Sequence, residues 1–229
     1  MSTLQALIFD FDGVIANSEP LHFAGLHRTL KEIGIDLTEA DYYANYLGFD
    51  DRGCILAALA ANGRAADAVT VTHLMQRKAE AYLESVKHQS VVFPGVAEFV
   101  WKAVANYPLA IASGALRHEI EHILESAGLR GAFLHITSAE DVTRGKPDPQ
   151  PFLLALKGLQ ERHACLTPAS CLVIEDSLPG VRGARAAGMK VLAVANTHTV
   201  QDLHEAHAIT HSLLETSLTD LQRRLWPAT

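Results

Sequence analysis

The chain lacks most of what would mark a disulfide-stapled, membrane-spanning or nucleic-acid-binding protein. It has three cysteines in 229 residues, Cys54, Cys165 and Cys171. The count is odd and no pair has metal-ligand spacing, which argues against a disulfide framework or a zinc site and for reduced thiols. Cys171, at the head of an apolar run, is expected to be buried at the start of a strand. No apolar stretch approaches the roughly 20 residues needed to cross a bilayer, and the first residues lack a basic segment leading into an apolar signal region. A cytoplasmic protein without a membrane partner is therefore expected. Basic residues are the minority, 19 Lys and Arg against 26 Asp and Glu for a net charge of −7. A nucleic-acid partner would call for clustered Lys and Arg instead. Twelve histidines are many for a chain of this length. There is no GxGxxG fingerprint, internal repeat or low-complexity tract, although residues 57–68 are alanine-rich.

What the chain does have is alternation. Apolar runs of strand length occur at Ala6–Phe9, Leu109–Ala112, Phe133–Thr137, Leu172–Ile174 and Val191–Val194, with helix-like segments between them. Strands alternating with helices predict an α/β fold with a doubly wound parallel sheet. Between Pro20 and about Val92 the pattern contains no convincing strand. Leu21, Leu26, Leu30 and Ile33 mark one helix stopped by Gly34, and Thr38-Glu39-Ala40-Asp41 resembles a capping box opening another. Asp50–Ala61 and Asp67–Lys87 read as further helices. The expected organisation is a core of residues 1–16 and 93–229 with a helical insertion of residues 17–92, hinged near Ala16–Glu19 and Ser90–Pro94.

Polar residues stand where the apolar runs end. Leu7-Ile8-Phe9-Asp10-Phe11-Asp12-Gly13-Val14 sets two carboxylates two residues apart, so both can share one face while Phe11 turns to the core. Gly13 lets the chain turn away. Ile111-Ala112-Ser113-Gly114 ends a second run on a hydroxyl and a glycine, and Leu172-Val173-Ile174-Glu175-Asp176-Ser177 ends another on two acids. Gly145-Lys146-Pro147-Asp148-Pro149 supplies a lysine in a rigid loop. In open α/β sheets, ligands bind at the carboxyl ends of strands, where three of these segments fall. Each residue also has an ordinary structural reading: turn residues for Asp10 and Asp12, a helix N-cap for Ser113, an exposed loop lysine for Lys146, a solvated acid pair for Glu175 and Asp176. Gly180, Gly183, Ala184, Ala187 and Gly188 read as close helix packing and a C-cap.

In this order the four segments resemble the haloacid dehalogenase superfamily, specifically its members with a helical cap inserted between the first two motifs, in the β-phosphoglucomutase-like subgroup. The resemblance covers nearly the whole chain. It implies a Rossmann-like core holding Mg²⁺ through the Asp10 carboxylate, the Asp12 main-chain carbonyl and Asp176, with Glu175 a ligand directly, a ligand through water, or only a nearby charge. It implies Asp10 as nucleophile, forming an aspartyl-phosphate, and Asp12 as the acid that protonates the leaving oxygen and then the base for the hydrolytic water. Lys146, the Ser113 hydroxyl and the Gly114 N–H would hold the phosphoryl oxygens. In the cap, His22, Arg52 and Lys78 match positions that relatives use toward substrate, although a charge on a helix is ordinarily solvated. Asn17 stands where relatives often carry Asp.

The expected activity is a Mg²⁺-dependent phosphomonoester hydrolase of a small phosphometabolite, plausibly a sugar phosphate, acting as a monomer. The alternative enzyme is a β-phosphoglucomutase-like phosphomutase, which would use the same four motifs. Family dehalogenases and phosphonate-cleaving members lack an acid at the Asp12 position. A phosphorylatable receiver domain would carry its acids in another order and no insertion of this size. A catalytically silent binding protein would have no need of nucleophile, acid, lysine and metal acids together.

Overall fold

The computed structural model describes residues 3–46, 49, 51–86 and 91–227. The chain divides into two compact units, Met1–Asn17 with Val91–Thr229, and Ser18–Ser90.

The first unit is built on a six-stranded sheet in which every pairing is parallel: β1 (Ala6–Phe9), β2 (Leu109–Ala112), β3 (Phe133–Thr137), β4 (Cys171–Glu175), β5 (Lys190–Val194) and β6 (Ala208–Thr210). Their order across the sheet is β3-β2-β1-β4-β5-β6. The chain thus winds outward from β1 through β2 to β3, then returns to the other side of β1 and winds outward again through β4. The reversal places a crevice at the carboxyl ends of β1 and β4, the position ligands favour in such sheets. Helices α5 (Val96–Val104), α6 (Arg117–Ser126), α7 (Gln150–Gln160), α8 (Leu178–Ala186) and α9 (Leu218–Leu225) complete the unit.

β1 reads as a continuous apolar run because both of its faces are covered, and all four of its residues are buried. Ala6 and Ile8 join a cluster with Val173, Phe152, Leu156 and Val181. Phe9 meets Phe99 and Phe133 edge to face, at centroid separations of 6.1 and 5.6 Å. Each fully buried side chain of this size contributes roughly 1.5–3 kcal/mol. The central strand is therefore held rigidly, and so is whatever its end carries. β4 starts at Cys171, which is buried as expected, and two strands extend past their expected limits, β4 by Glu175 and β5 by Lys190. β6 was not expected from the sequence at all. It is three residues long, too short for a periodic signal.

The second unit contains α1 (Glu19–Glu32), α2 (Glu39–Asn45), α3 (Asp51–Ala61) and α4 (Ala68–Val86), with no strand among its described residues. Leu26, Leu30, Ile55, Leu59, Val71 and Leu74 form its core. Thr38 caps α2 by accepting from the Asp41 N–H, and Gly34, with φ of 77°, follows the end of α1. The expected helix limits at Asp50 and Lys87 and the hinge at Ser90 lie outside the described residues. Asn17, Val91 and Val92 group with the first unit. The Asn17 N–H donates to the Val91 carbonyl at 2.7 Å, and Ala16 forms an antiparallel bridge with Val92. No helix among the described residues is long and apolar enough to cross a membrane.

Candidate active site

Strand register brings the site together. Phe9 lies opposite Ile174, so Asp10 and Glu175 leave their strands at one level, and the Asp10 N–H donates to the Ile174 carbonyl at 2.9 Å. Beyond Asp10 the chain folds back at once: the N–H groups of Ile15 and Ala16 both donate to the Phe11 carbonyl. Phe11 is fully buried, as its alternation with the two acids requires. Gly13, with φ of 76°, is required for space as well as for turning, because a Cβ there would lie 1.9 Å from Asp176 Oδ2.

Asp10, Glu175 and Asp176 are buried, and each offers a carboxylate oxygen within 4.8 Å of the others. Lys146 joins them from the loop before α7, its Nζ 2.7 Å from Asp10 Oδ1 and 2.5 Å from Glu175 Oε1. Burial pushes the Asp10 carboxyl well above the usual carboxylate range, and the charge of Glu175 adds to the shift. Burial and Glu175 likewise raise Asp176 to about 7. Glu175 goes the other way. Burial alone would raise it, but Lys146 and the hydrogen bonds from Ser177 together outweigh burial and lower it. For Lys146, burial favours the neutral amine, and the charges of Asp10 and Glu175 overcome it and hold the ammonium.

Glu175 has both oxygens engaged. Oε1 accepts from Lys146, while Oε2 accepts from the N–H of Asp176, the N–H of Ser177 and the Ser177 hydroxyl, at 2.8–2.9 Å. A Cβ at Gly180 would sit 1.7 Å from Glu175 Oε1, so this glycine leaves room for a carboxylate, where the sequence suggested helix packing. Gly183 does pack a helix, against Phe152, and Gly188, with φ of 79°, ends α8.

The donor set suits a hard dication. It consists of oxygens only, carries more negative charge than Lys146 offsets, and holds two carboxyls whose pKa values are raised by burial and by the charge of Glu175. Asp10, Glu175 and Asp176 are the residues that could hold it.

Ser113 is buried at the end of β2 and tied to β3 through its N–H, which donates to the Thr137 carbonyl. It is not a helix N-cap. Its hydroxyl accepts from the Ala115 N–H at 3.0 Å, and α6 starts only at Arg117. Gly114 beside it is exposed. Asp12 is half-buried, and its charge reaches Asp176.

Within the second unit, Lys78 is fully buried, contrary to the ordinary expectation for a helix charge. Its Nζ lies 2.7 Å from Asp51 Oδ1 and 2.7 Å from His22 Nδ1. Arg52 is exposed.

Two residues of the first unit escaped the sequence reading. Thr197 donates its hydroxyl to Asp176 Oδ2, and the Asn196 amide donates to the Gly13 carbonyl at 2.8 Å. Both follow β5, so the rule that directed attention to the ends of β1, β2 and β4 points to them too.

A family model for haloacid dehalogenase-like hydrolases matches residues 7–194. Protein CbbY of Rhodobacter capsulatus is 31% identical over 206 residues, spanning 87% of this chain and 88% of that protein. The phosphorylated carbohydrates phosphatase of Thermotoga maritima is 29% identical over 82% of this chain and 83% of its own length. A crystal structure of a CbbY variant from Rhodobacter sphaeroides in complex with xylulose-(1,5)bisphosphate superimposes with a TM-score of 0.82. It covers 96% of this chain and 99% of that one, and at 23% identity the likeness is one of fold. The acids at the sheet's reversal point therefore sit in a known framework, and the chain belongs to the haloacid dehalogenase-like hydrolase family.

Proposed function

We propose that this haloacid dehalogenase-like phosphatase is a Mg²⁺-dependent hydrolase of sugar phosphates that works through an aspartyl-phosphate on Asp10. The observation that carries the reading is the placement of Lys146 between Asp10 and Glu175. The lysine keeps its charge beside the carboxylate that attacks, engages one Asp10 oxygen, and leaves the other for phosphorus. In the first half-reaction that oxygen bonds to phosphorus, the ester P–O bond breaks, and Asp12 gives its proton to the departing alkoxide. In the second, Asp12 takes a proton from water, the water oxygen attacks phosphorus, and phosphate leaves Asp10. Lys146, the Ser113 hydroxyl and the Gly114 N–H hold the phosphoryl oxygens. Mg²⁺, when bound by Asp10, the Asp12 carbonyl and Asp176, supplies charge neutralisation at the phosphoryl group. Glu175 positions Lys146. His22, Arg52 and Lys78 of the second unit contribute to substrate selection, Lys78 through its neighbours.

The sugar-phosphate class is supported by the named activities and ligands of the relatives. Hydrolysis is favoured over mutase chemistry because the charge of Lys78, a cation suited to a second phosphate, is already balanced by Asp51. Phosphate release measured across a panel of phosphometabolites with Mg²⁺ tests the reading. Expected is steady hydrolysis of one or more sugar monophosphates. Efficient conversion of β-glucose 1-phosphate to glucose 6-phosphate, primed by a bisphosphate and with negligible phosphate release, would overturn it.

A further inference from the structure

α1, α3 and α4 bring three chargeable side chains into contact inside the second unit. Lys78 on α4 has no exposed surface. Its ammonium lies 2.7 Å from Asp51 Oδ1, 2.7 Å from His22 Nδ1, and 4.8 Å from the centre of the Tyr82 ring. Tyr82 also lies against the His22 imidazole at a centroid distance of 4.5 Å. Asp51, Lys78 and Tyr82 are thus the titratable groups that face His22 from α3 and α4, and Asp51 Oδ1 is 3.9 Å from its Nδ1.

A buried lysine is sustained by a partner, and Asp51 is that partner. An ammonium has donors only, so the imidazole nitrogen beside it must accept, and the ring's one proton then sits on Nε2. The reverse pattern, Nδ1–H donating to a neutral amine, would require Lys78 to lose its proton next to a carboxylate. A doubly protonated ring would set two cations 2.7 Å apart. The His22 side chain keeps about 20% of its surface open, and Nε2 has no acceptor among the described residues.

We propose that Asp51 and Lys78 are positioning residues that hold His22 as the neutral Nε2–H tautomer, an uncharged hydrogen-bond donor for a substrate oxygen. The donor role rests on the sugar-phosphate reading, and it deepens that reading: a donor backed by a charge-balanced pair suits a hydroxyl more than a second phosphate. Burial and the neighbouring ammonium push the His22 pKa down to about 3, which fits a ring that stays neutral.

Long-range ¹H–¹⁵N correlation spectra of the full chain with labelled histidine test this, the His22 signals being assigned by their loss in His22→Gln. Expected is a single Nε2–H tautomer, unchanged from about pH 5.5 to 8. In Lys78→Met the ring loses the neighbouring ammonium but not its burial, so its titration should move upward while staying below the ordinary value of about 6.5, and in both Lys78→Met and Asp51→Asn the tautomers should mix. Titration of His22 near 6.5 in the unaltered protein, or an unchanged tautomer in Lys78→Met, overturns the proposal. On a sugar phosphate, His22→Ala should lose about tenfold or more in kcat/KM, while His22→Gln, which keeps a donor at similar reach, stays within about threefold of the unaltered enzyme. Equal losses in the two overturn the donor role. The spectra are taken without substrate, so a fixed tautomer with no hydrolysis of any phosphomonoester supports the positioning role and overturns the functional reading alone.

Discussion

Three carboxylates and one ammonium share the end of the sheet, and what separates their roles is which oxygens remain available. Glu175 is the most heavily engaged, since Oε1 holds Lys146 on one side and Oε2 the Asp176–Ser177 backbone on the other. Asp10 spends one oxygen on Lys146 and the Phe11 N–H and keeps the second. Replacing Asp10 by Asn removes a nucleophilic oxygen and should lower kcat by at least about a thousandfold, roughly 4 kcal/mol of barrier. Asp12→Ala should act differently. Its cost should be large for alkyl phosphates, whose leaving group needs the proton, and smaller in the first step for aryl phosphates, which leave without it. Steady-state phosphate release on an alkyl and an aryl ester separates the cases, and equal rates to the unaltered enzyme on both would show that Asp12 is not the acid.

Elements carry these side chains, and close approach between elements decides what they can be. α8 begins one turn after Glu175, and Gly180 in its first turn lies over the carboxylate. Gly180→Ala forces a methyl group into that contact, which is expected to cost about 1–3 kcal/mol by overpacking. At this chain length each kcal/mol lowers Tm by about 2–4 °C, and the displaced Glu175 should release Lys146 and reduce kcat. Gly131→Ala is the control. A Cβ at Gly131 meets nothing within 4 Å, so Tm should stay near that of the unaltered protein and activity should be retained. If the two variants melt alike in a thermal scan, the close approach of α8 is not what makes Gly180 necessary.

At the scale of the molecule, the crowded acids make folding depend on what neutralises them. Mg²⁺ that binds only the folded chain stabilises it by about 2.7 kcal/mol at a hundredfold excess over its Kd. Tm should therefore rise by several degrees between excess chelator and millimolar Mg²⁺, with turnover lost in chelator, and Asp176→Asn should abolish the rise. A metal-independent Tm with full turnover in chelator would contradict this. A second dependence comes from His22. Its folded pKa, about 3, lies below its ordinary 6.5. Above about pH 6.5 the ring is neutral in both states and its contribution is complete. As pH falls below that, the unfolded chain takes up a proton that the folded ring refuses, so stability is lost toward pH 3. The slope from this group is at most about 1.4 kcal/mol per pH unit. Urea unfolding at several pH values should show a shallower decline in His22→Gln than in the unaltered chain, and parallel curves would mean that His22 titrates normally in the folded state.

The sequence by itself determined the sheet and most of the candidate site because both are written locally. An apolar run of strand length followed by a polar residue marks a strand and its carboxyl end in a few consecutive positions, and Asp10, Asp12, Ser113, Glu175 and Asp176 were legible in that way. The helices α1 to α4 were legible from periodicity and caps, whereas β6, at three residues, was below the length at which a pattern exists. Only the tertiary structure decided the contacts between distant segments. Lys146 reaches Glu175 across 29 residues of chain, and Thr197 reaches Asp176 across 21. Lys78 meets His22 across 56, and it is this contact that turns an apparent surface lysine into a buried one. Periodicity states which face of a helix is buried, but a charged residue on that face becomes a binding group or a positioning group only through the partner that packing brings to it, and Asp51 became visible only when α3 and α4 met.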